Sequence, residues 1–156
     1  MNEPINFDIN WAGSQLVIVA CYGLNPARRI GQAKGNVEEG GIGFLGDIVL
    51  ENEIEVPGGF LGLGKRKLQI RGKGFGKQLL DHFEQEMSTH GVAKIQGNLV
   101  PETADKLEWL IGWYRNQGYD FHPGETVGRW APPQTAGFIS KRIPLRSTYE
   151  SRALVK

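Results

Sequence analysis

Apolar and polar residues alternate in short runs through the first third of this chain and then switch to helical spacing at two places further on. Two short strand-like elements, Ile5 to Ile9 and Gln15 to Tyr22, lead to a turn at Gly23-Leu24-Asn25-Pro26. A strand at Arg28 to Lys34, a turn through Gly40-Gly41 and a strand at Gly43 to Glu51 follow. Phe75, Leu79, Leu80, Phe83 and Met87 then recur on one side of a helix. Lys77, Asp81, Glu84 and Glu86 lie on its other side, and Gly91 stops it. A strand at Val92 to Val100, a helix over Thr103 to Gln117 and closing strands at Val127 to Trp130 and Gly137 to Ile143 complete the order. Strands first, then strands alternating with helices, predict an α+β fold with mixed strand directions.

The first helix is entered through Arg71-Gly72-Lys73-Gly74-Phe75-Gly76-Lys77, a basic turn with three glycines. Without β-carbons at 72, 74 and 76 the backbone can touch an anion, and a helix start near Gly76 adds unpaired N–H groups and the positive end of its dipole. Arg71, Lys73 and Lys77 supply formal charge at the same place. Two common phosphate loops do not fit. A P-loop needs four residues between its first glycine and Gly-Lys, then Ser or Thr; here three intervene and Gln78 follows. A dinucleotide fingerprint counted from Gly72 and Gly74 needs glycine at 77, which is lysine.

Arg71 to Gly76 reads as Arg-x-x-Gly-x-Gly and resembles the acyl-coenzyme A pyrophosphate loop of the GNAT family of N-acetyltransferases. Downstream, Tyr114-Arg115-Asn116-Gln117-Gly118-Tyr119 resembles the family's Tyr-x-x-x-Gly-aromatic signature. Upstream, Gly43 to Glu53 looks like the family's fourth strand, which normally runs straight into the loop arginine; here about seventeen residues, Glu53 to Gln69, are inserted between them. The resemblance covers most of residues 14 to 143. It implies a mixed, mostly antiparallel sheet flanked by helices and one acyltransferase domain over residues 1 to 143, with 144 to 156 a polar tail. It also implies acetyl-coenzyme A as the acyl donor and a small-molecule or peptide amine as the acceptor.

Bulk properties narrow the alternatives. At 156 residues and 40% hydrophobic content the chain can build one core but not two full domains. It has neither an apolar run of the ~20 residues that span a bilayer nor the start of a signal peptide, so the expected location is cytoplasmic, away from membranes. Cys21, in an apolar run, cannot form an internal disulfide, and three scattered histidines with one cysteine do not suggest a metal site. The net charge of +1 hides an asymmetry: residues 1 to 64 hold eight acids against three bases, net −5, and the rest carries +6. The basic part coincides with the proposed polyanion site. Because its bases are interspersed with acids, nucleic acid is not an expected partner.

Acyl transfer to an amine needs a base, a donor for the developing oxyanion and a proton for the leaving thiolate. An amine of pKa ~10.4 is neutral in only about one molecule in a thousand at pH 7, so a carboxylate is expected nearby. Asp47 and Glu51 lead the candidates, followed by Glu53 and Glu102. If Ile48 and Leu50 face the core, Asp47, Val49 and Glu51 share the other face. By the resemblance Tyr114 is the general acid, although with Leu107, Leu110 and Ile111 it also completes an apolar helix face. The resemblance places the oxyanion donor on the backbone near Val49 or Leu50, with Asn98 a contact from the facing strand. The insertion is expected to pack beside the cofactor site as a flap, or to form a homodimer contact through Phe60, Leu61 and Leu63. A non-catalytic acyl-coenzyme A sensor on the same fold is the alternative reading.

Overall fold

A computed structural model describes residues 5–24, 27–58 and 64–144. The chain forms β1 (Ile5–Ala12), β2 (Gln15–Tyr22), β3 (Arg28–Glu38), β4 (Ile42–Leu50), β5 (Glu53–Pro57) and β6 (Lys65–Gln69). After these come α1 (Phe75–Thr89), β7 (Lys94–Leu99), a short 3-10 turn at Ala104–Lys106, α2 (Leu107–Asn116), β8 (Asp120–Pro123) and β9 (Gly137–Arg142). Seven strands make one sheet in the order β1-β2-β3-β4-β7-β9-β8, and β5 and β6 pair with each other as a separate hairpin. All neighbours in the large sheet are antiparallel except β4 and β7, so the sheet is mixed and mostly antiparallel.

Alternation along β2 turns Leu16, Ile18, Ala20 and Tyr22 to one face, where they are buried. α1 lies on that face and buries Leu79, Leu80, Phe83 and Met87 completely. Each of these contributes roughly 1.5–3 kcal/mol relative to exposure. The helix ends as expected: Gly91 adopts φ +82°, and Val92 N–H returns to the Met87 carbonyl at 3.0 Å.

Glu84 departs from the solvent-facing position expected from helical spacing. It accepts the Tyr119 hydroxyl proton at 3.0 Å and pairs with Lys141 at 2.8 Å, and Lys141 also donates to the Gln117 carbonyl at 2.8 Å. This cluster ties α1, β9 and the end of α2 together.

The strand expected at Val127 to Trp130 is not formed; the edge strand is β8, which pairs with β9 from Asp120↔Ser140 to Pro123↔Gly137. Gly128 has φ +80°, a conformation that breaks an extended run. The segment instead crosses the sheet as a loop, held where Asn98 Nδ2 donates to the Val127 carbonyl and Val127 N–H donates to Asn98 Oδ1, both at 2.9 Å. The expected turn residues Asn25 and Pro26, the apolar residues Phe60, Leu61 and Leu63, and most of the expected tail lie outside the described residues.

Candidate active site

β4 pairs with β7 only at Ile42↔Lys94, Gly43↔Ile95 and Phe44↔Gln96. Beyond these, β4 continues to Leu50 and β7 to Leu99 with no pairing between them. A cleft therefore opens inside the sheet, while the far edges of both strands stay bonded to β3 and β9. Gly46 is the unpaired residue of a β-bulge against β3, where the register passes from Gly35↔Leu45 to Lys34↔Asp47. After the bulge, Ile48 and Leu50 pack against the core and Asp47, Val49 and Glu51 are exposed.

The backbone of β4 alternates sides in the same way. Glu51 N–H donates to the Ile30 carbonyl at 2.9 Å, and the Val49 carbonyl approaches Gly31, so these residues direct their backbone groups to β3. Leu50 and Ile48 therefore turn their N–H and C=O groups toward the cleft. Arg71 Nη2 lies 3.4 Å from the Leu50 carbonyl and 3.5 Å from Glu102 Oε1, spanning the mouth of the cleft.

The glycine loop sits at that mouth. Ile70 and Arg71 N–H both point to the Asn52 carbonyl, at 2.9 and 3.4 Å, so the chain leaves β4, makes the β5–β6 hairpin and returns to its point of departure. The hairpin thus does not displace the loop from the end of β4. Gly72 and Gly74 have φ +84° and +86°, with nothing within 4 Å of where a β-carbon would stand. α1 starts directly after Gly74, its first turn holding no acid and no capping side chain, and the Phe75, Gly76 and Lys77 N–H groups have no intrahelical acceptor. Gly76 has a different reason to be glycine: a β-carbon there would lie 3.3 Å from both Leu50 Cδ1 and Trp113 Cζ2, so it lets α1 and α2 close beside the splayed strand.

Tyr114 is buried on α2, edge-on to Trp113 with ring centroids 4.9 Å apart and to Tyr119 at 5.6 Å. Burial, and secondarily the negative charge of Asp47, push its phenol well above its ordinary range and keep it protonated. Among the described residues its hydroxyl has no hydrogen-bond partner, unlike that of Tyr119. The helix stops at Gly118, φ +89°, through Gly118 N–H to Arg115 O at 3.0 Å and Tyr119 N–H to Tyr114 O at 3.1 Å. The Tyr-x-x-x-Gly-aromatic spacing thereby ends the helix and folds Tyr119 back over Tyr114.

Asp47 is raised above the usual carboxylate value by desolvation, opposed by Lys34 and by a backbone hydrogen bond from Ile48. Its negative charge adds to the upward push on Tyr114, whereas Glu53 is turned into the hairpin, 3.4 Å from Lys67. Glu51 is exposed at the end of β4, and both ends of the Asn98 amide are engaged by Val127. The Cys21 thiol is pushed up by burial and by Asp8, away from the thiolate a nucleophile needs. Two features escaped sequence reasoning, the Asn98–Val127 clasp and the Glu84 cluster, because both join residues far apart in the chain.

No protein-family model and no curated protein matches the sequence. Solved structures do. A GNAT-family acetyltransferase from Staphylococcus aureus superposes with a TM-score of 0.57 at 15% identity, covering 82% of this chain and 67% of that one. A protein from Klebsiella pneumoniae described as an acyl-CoA N-acyltransferase gives 0.56 at 16% identity over 81% and 72%. The PaiA N-acetyltransferase of Thermoplasma acidophilum, solved with coenzyme A, gives 0.50 at 15% identity over 83% and 62%. At such identities the likeness is one of architecture, and that architecture, a mixed and mostly antiparallel seven-stranded sheet flanked by two helices, is the GNAT acetyltransferase fold.

Proposed function

We propose that this protein is an acyl-coenzyme A-dependent N-acetyltransferase that transfers an acetyl group to a primary amine by direct attack in a ternary complex. The observation that carries the proposal is the Tyr114 hydroxyl, buried with no hydrogen-bond partner among the described residues. A buried, unsatisfied hydroxyl costs roughly 1–3 kcal/mol, which a bound ligand can offset.

The residues present fit the cofactor. Open space over Gly72 and Gly74, the free first-turn N–H groups of α1 and the charges of Arg71, Lys73 and Lys77 suit a pyrophosphate. Phe75 and Gly76 shape the turn, and the β5–β6 hairpin, bonded at its base to the start of the loop, would flank the bound molecule as a flap. Acetyl-coenzyme A, when bound, supplies the activated acyl group as a thioester. The cleft-facing N–H group of Leu50 would donate to a developing oxyanion, Val49 holds the strand in register against β3, and Asn98 shapes the opposite wall through Val127. Asp47, raised in pKa, takes a proton from the incoming amine, with Glu51 next in line. Tyr114 stays protonated at neutral pH and would act on a departing thiolate, whose own pKa is about 8.5, as a hydrogen-bond donor that stabilises the developing charge, since its raised pKa makes complete proton delivery uphill.

Release of free thiol from acetyl-coenzyme A, measured against polyamines, amino sugars and peptides with free amino termini, tests the reading. Amine-dependent release with intersecting initial-rate lines is expected. Tight cofactor binding without turnover on any amine would instead favour the sensor.

A further inference from the structure

The two edges of the large sheet are finished differently. β8 is four residues long and ends in Pro123, which has no N–H to offer another strand. β1 is eight residues long, runs against β2 in unbroken register and contains no proline, lysine or arginine. Among the described residues no strand pairs with its outer side. β1 is also held firmly in place. Phe7 packs on His82 with ring centroids 4.3 Å apart, Trp11 stacks on His90 at 3.9 Å, and Trp11 Nε1 donates to Glu86 at 3.0 Å. Between these anchors Ile9 is left 40% exposed. A long strand in unbroken register, with an apolar residue near its centre, no proline, lysine or bulge and a single charge at Asp8, is a template for another strand.

We propose that β1 pairs antiparallel with β1 of a second copy of this chain, across a twofold axis at Ile9, joining the two sheets edge to edge. Self-pairing keeps each side chain on its own face only in registers centred on a residue, and two of these use seven of the eight strand positions. Centring on Asp8 sets Asp8 against its own copy, two like charges directly opposed. Centring on Ile9 sets Ile9 against Ile9, Phe7 against Trp11 and Asp8 against Asn10. These are an apolar pair, an aromatic pair and a carboxylate facing an amide. The strand is therefore self-complementary in one register and self-repelling in the other. The symmetry is that of a closed dimer.

Sedimentation of the full chain over a wide concentration range tests the association. A reversible monomer–dimer equilibrium is expected, and Ile9→Lys, which sets two ammonium groups face to face, should weaken it at least tenfold while leaving the circular dichroism spectrum unchanged. In a Cys21→Ala background, Ile9→Cys should oxidise to a covalent dimer linked through residue 9, and Asp8→Cys should not. Antiparallel partners directly opposite lie within disulfide reach. A chain that stays monomeric throughout, a dimer indifferent to Ile9→Lys, or cross-linking through residue 8 in preference to residue 9 would overturn the proposal. Monomer that captures peptides along β1 would assign the edge to another partner.

Discussion

β4 is bonded to β3 from Gly31↔Leu50 to Glu38↔Ile42, but to β7 over only three residue pairs. Its two edges therefore serve different ends. The β3 side is a structural ladder, interrupted once by the bulge at Gly46, and its backbone groups are satisfied within the protein. On the β7 side, the Leu50 N–H, the phenol of Tyr114 and the first turn of α1 face the opening or stand beside it with no hydrogen-bond partner among the described residues. Buried or semi-buried polar groups are normally paired, so a concentration of unpaired ones marks the place where a ligand belongs. On the proposed function, stability and chemistry are divided between the two edges of one strand.

Two tyrosines at the end of α2, Tyr114 within the helix and Tyr119 just beyond it, separate the two kinds of role. In Tyr114→Phe, kcat should fall about 10²- to 10⁴-fold with cofactor affinity little changed, since the hydroxyl acts on the leaving group. Stability should be unchanged or slightly higher, because the group removed has no partner. Tyr119→Phe should do the reverse: kcat close to the parent, and unfolding free energy lower by about 1.5–3 kcal/mol through loss of the bond to Glu84. A Tyr114→Phe enzyme with kcat within about threefold of the parent would reduce Tyr114 to a packing residue.

The loop offers a second test. Gly74→Val places a branched side chain at φ +86°, in the space proposed for the pyrophosphate. Left-handed strain should cost roughly 1–2 kcal/mol of stability. Cofactor affinity measured by calorimetry should drop tenfold or more. Unchanged affinity would remove the loop from the binding site.

Whatever depends on local chemistry was legible in the sequence: the glycine turn, the apolar face of α1, Gly91 as a stop and the alternation after Asp47. What depends on pairing between distant residues was not. Asp120-Phe121-His122-Pro123 has an acid at its start and proline at its end and does not look like a strand; β9 makes it one. Val127 to Trp130 has strand-forming residues but is bent at Gly128 and clasped by Asn98. The parting of β4 from β7 has no signature in either strand alone, because both are ordinary strands along their other edges. The glycine turn could thus be read from one stretch of chain, while the cleft beside it emerges only from the assembled sheet.

The smallest expected effect separates the two edges most cleanly. Asp47 has its pKa raised in the folded state, chiefly by desolvation, so folding favours its protonated form. Its contribution to stability is fully present below the unfolded carboxylate pKa and is lost as pH rises through the folded one. At neutral pH the ionised group is therefore a net cost. Asp47→Asn should be more stable than the parent at pH 7, by less than about 1 kcal/mol because the carboxylate is partly screened by solvent. The advantage should shrink to nothing as pH falls through the ordinary carboxylate range. The same variant should lose activity, and the parent's rate should climb with pH along a limb lying above the normal aspartate pKa. Denaturant melts at pH 7 and in acid, set beside rates at both, provide the check. A variant less stable than the parent at pH 7 would show Asp47 to be structural, and one that keeps full activity would pass the role of base to Glu51.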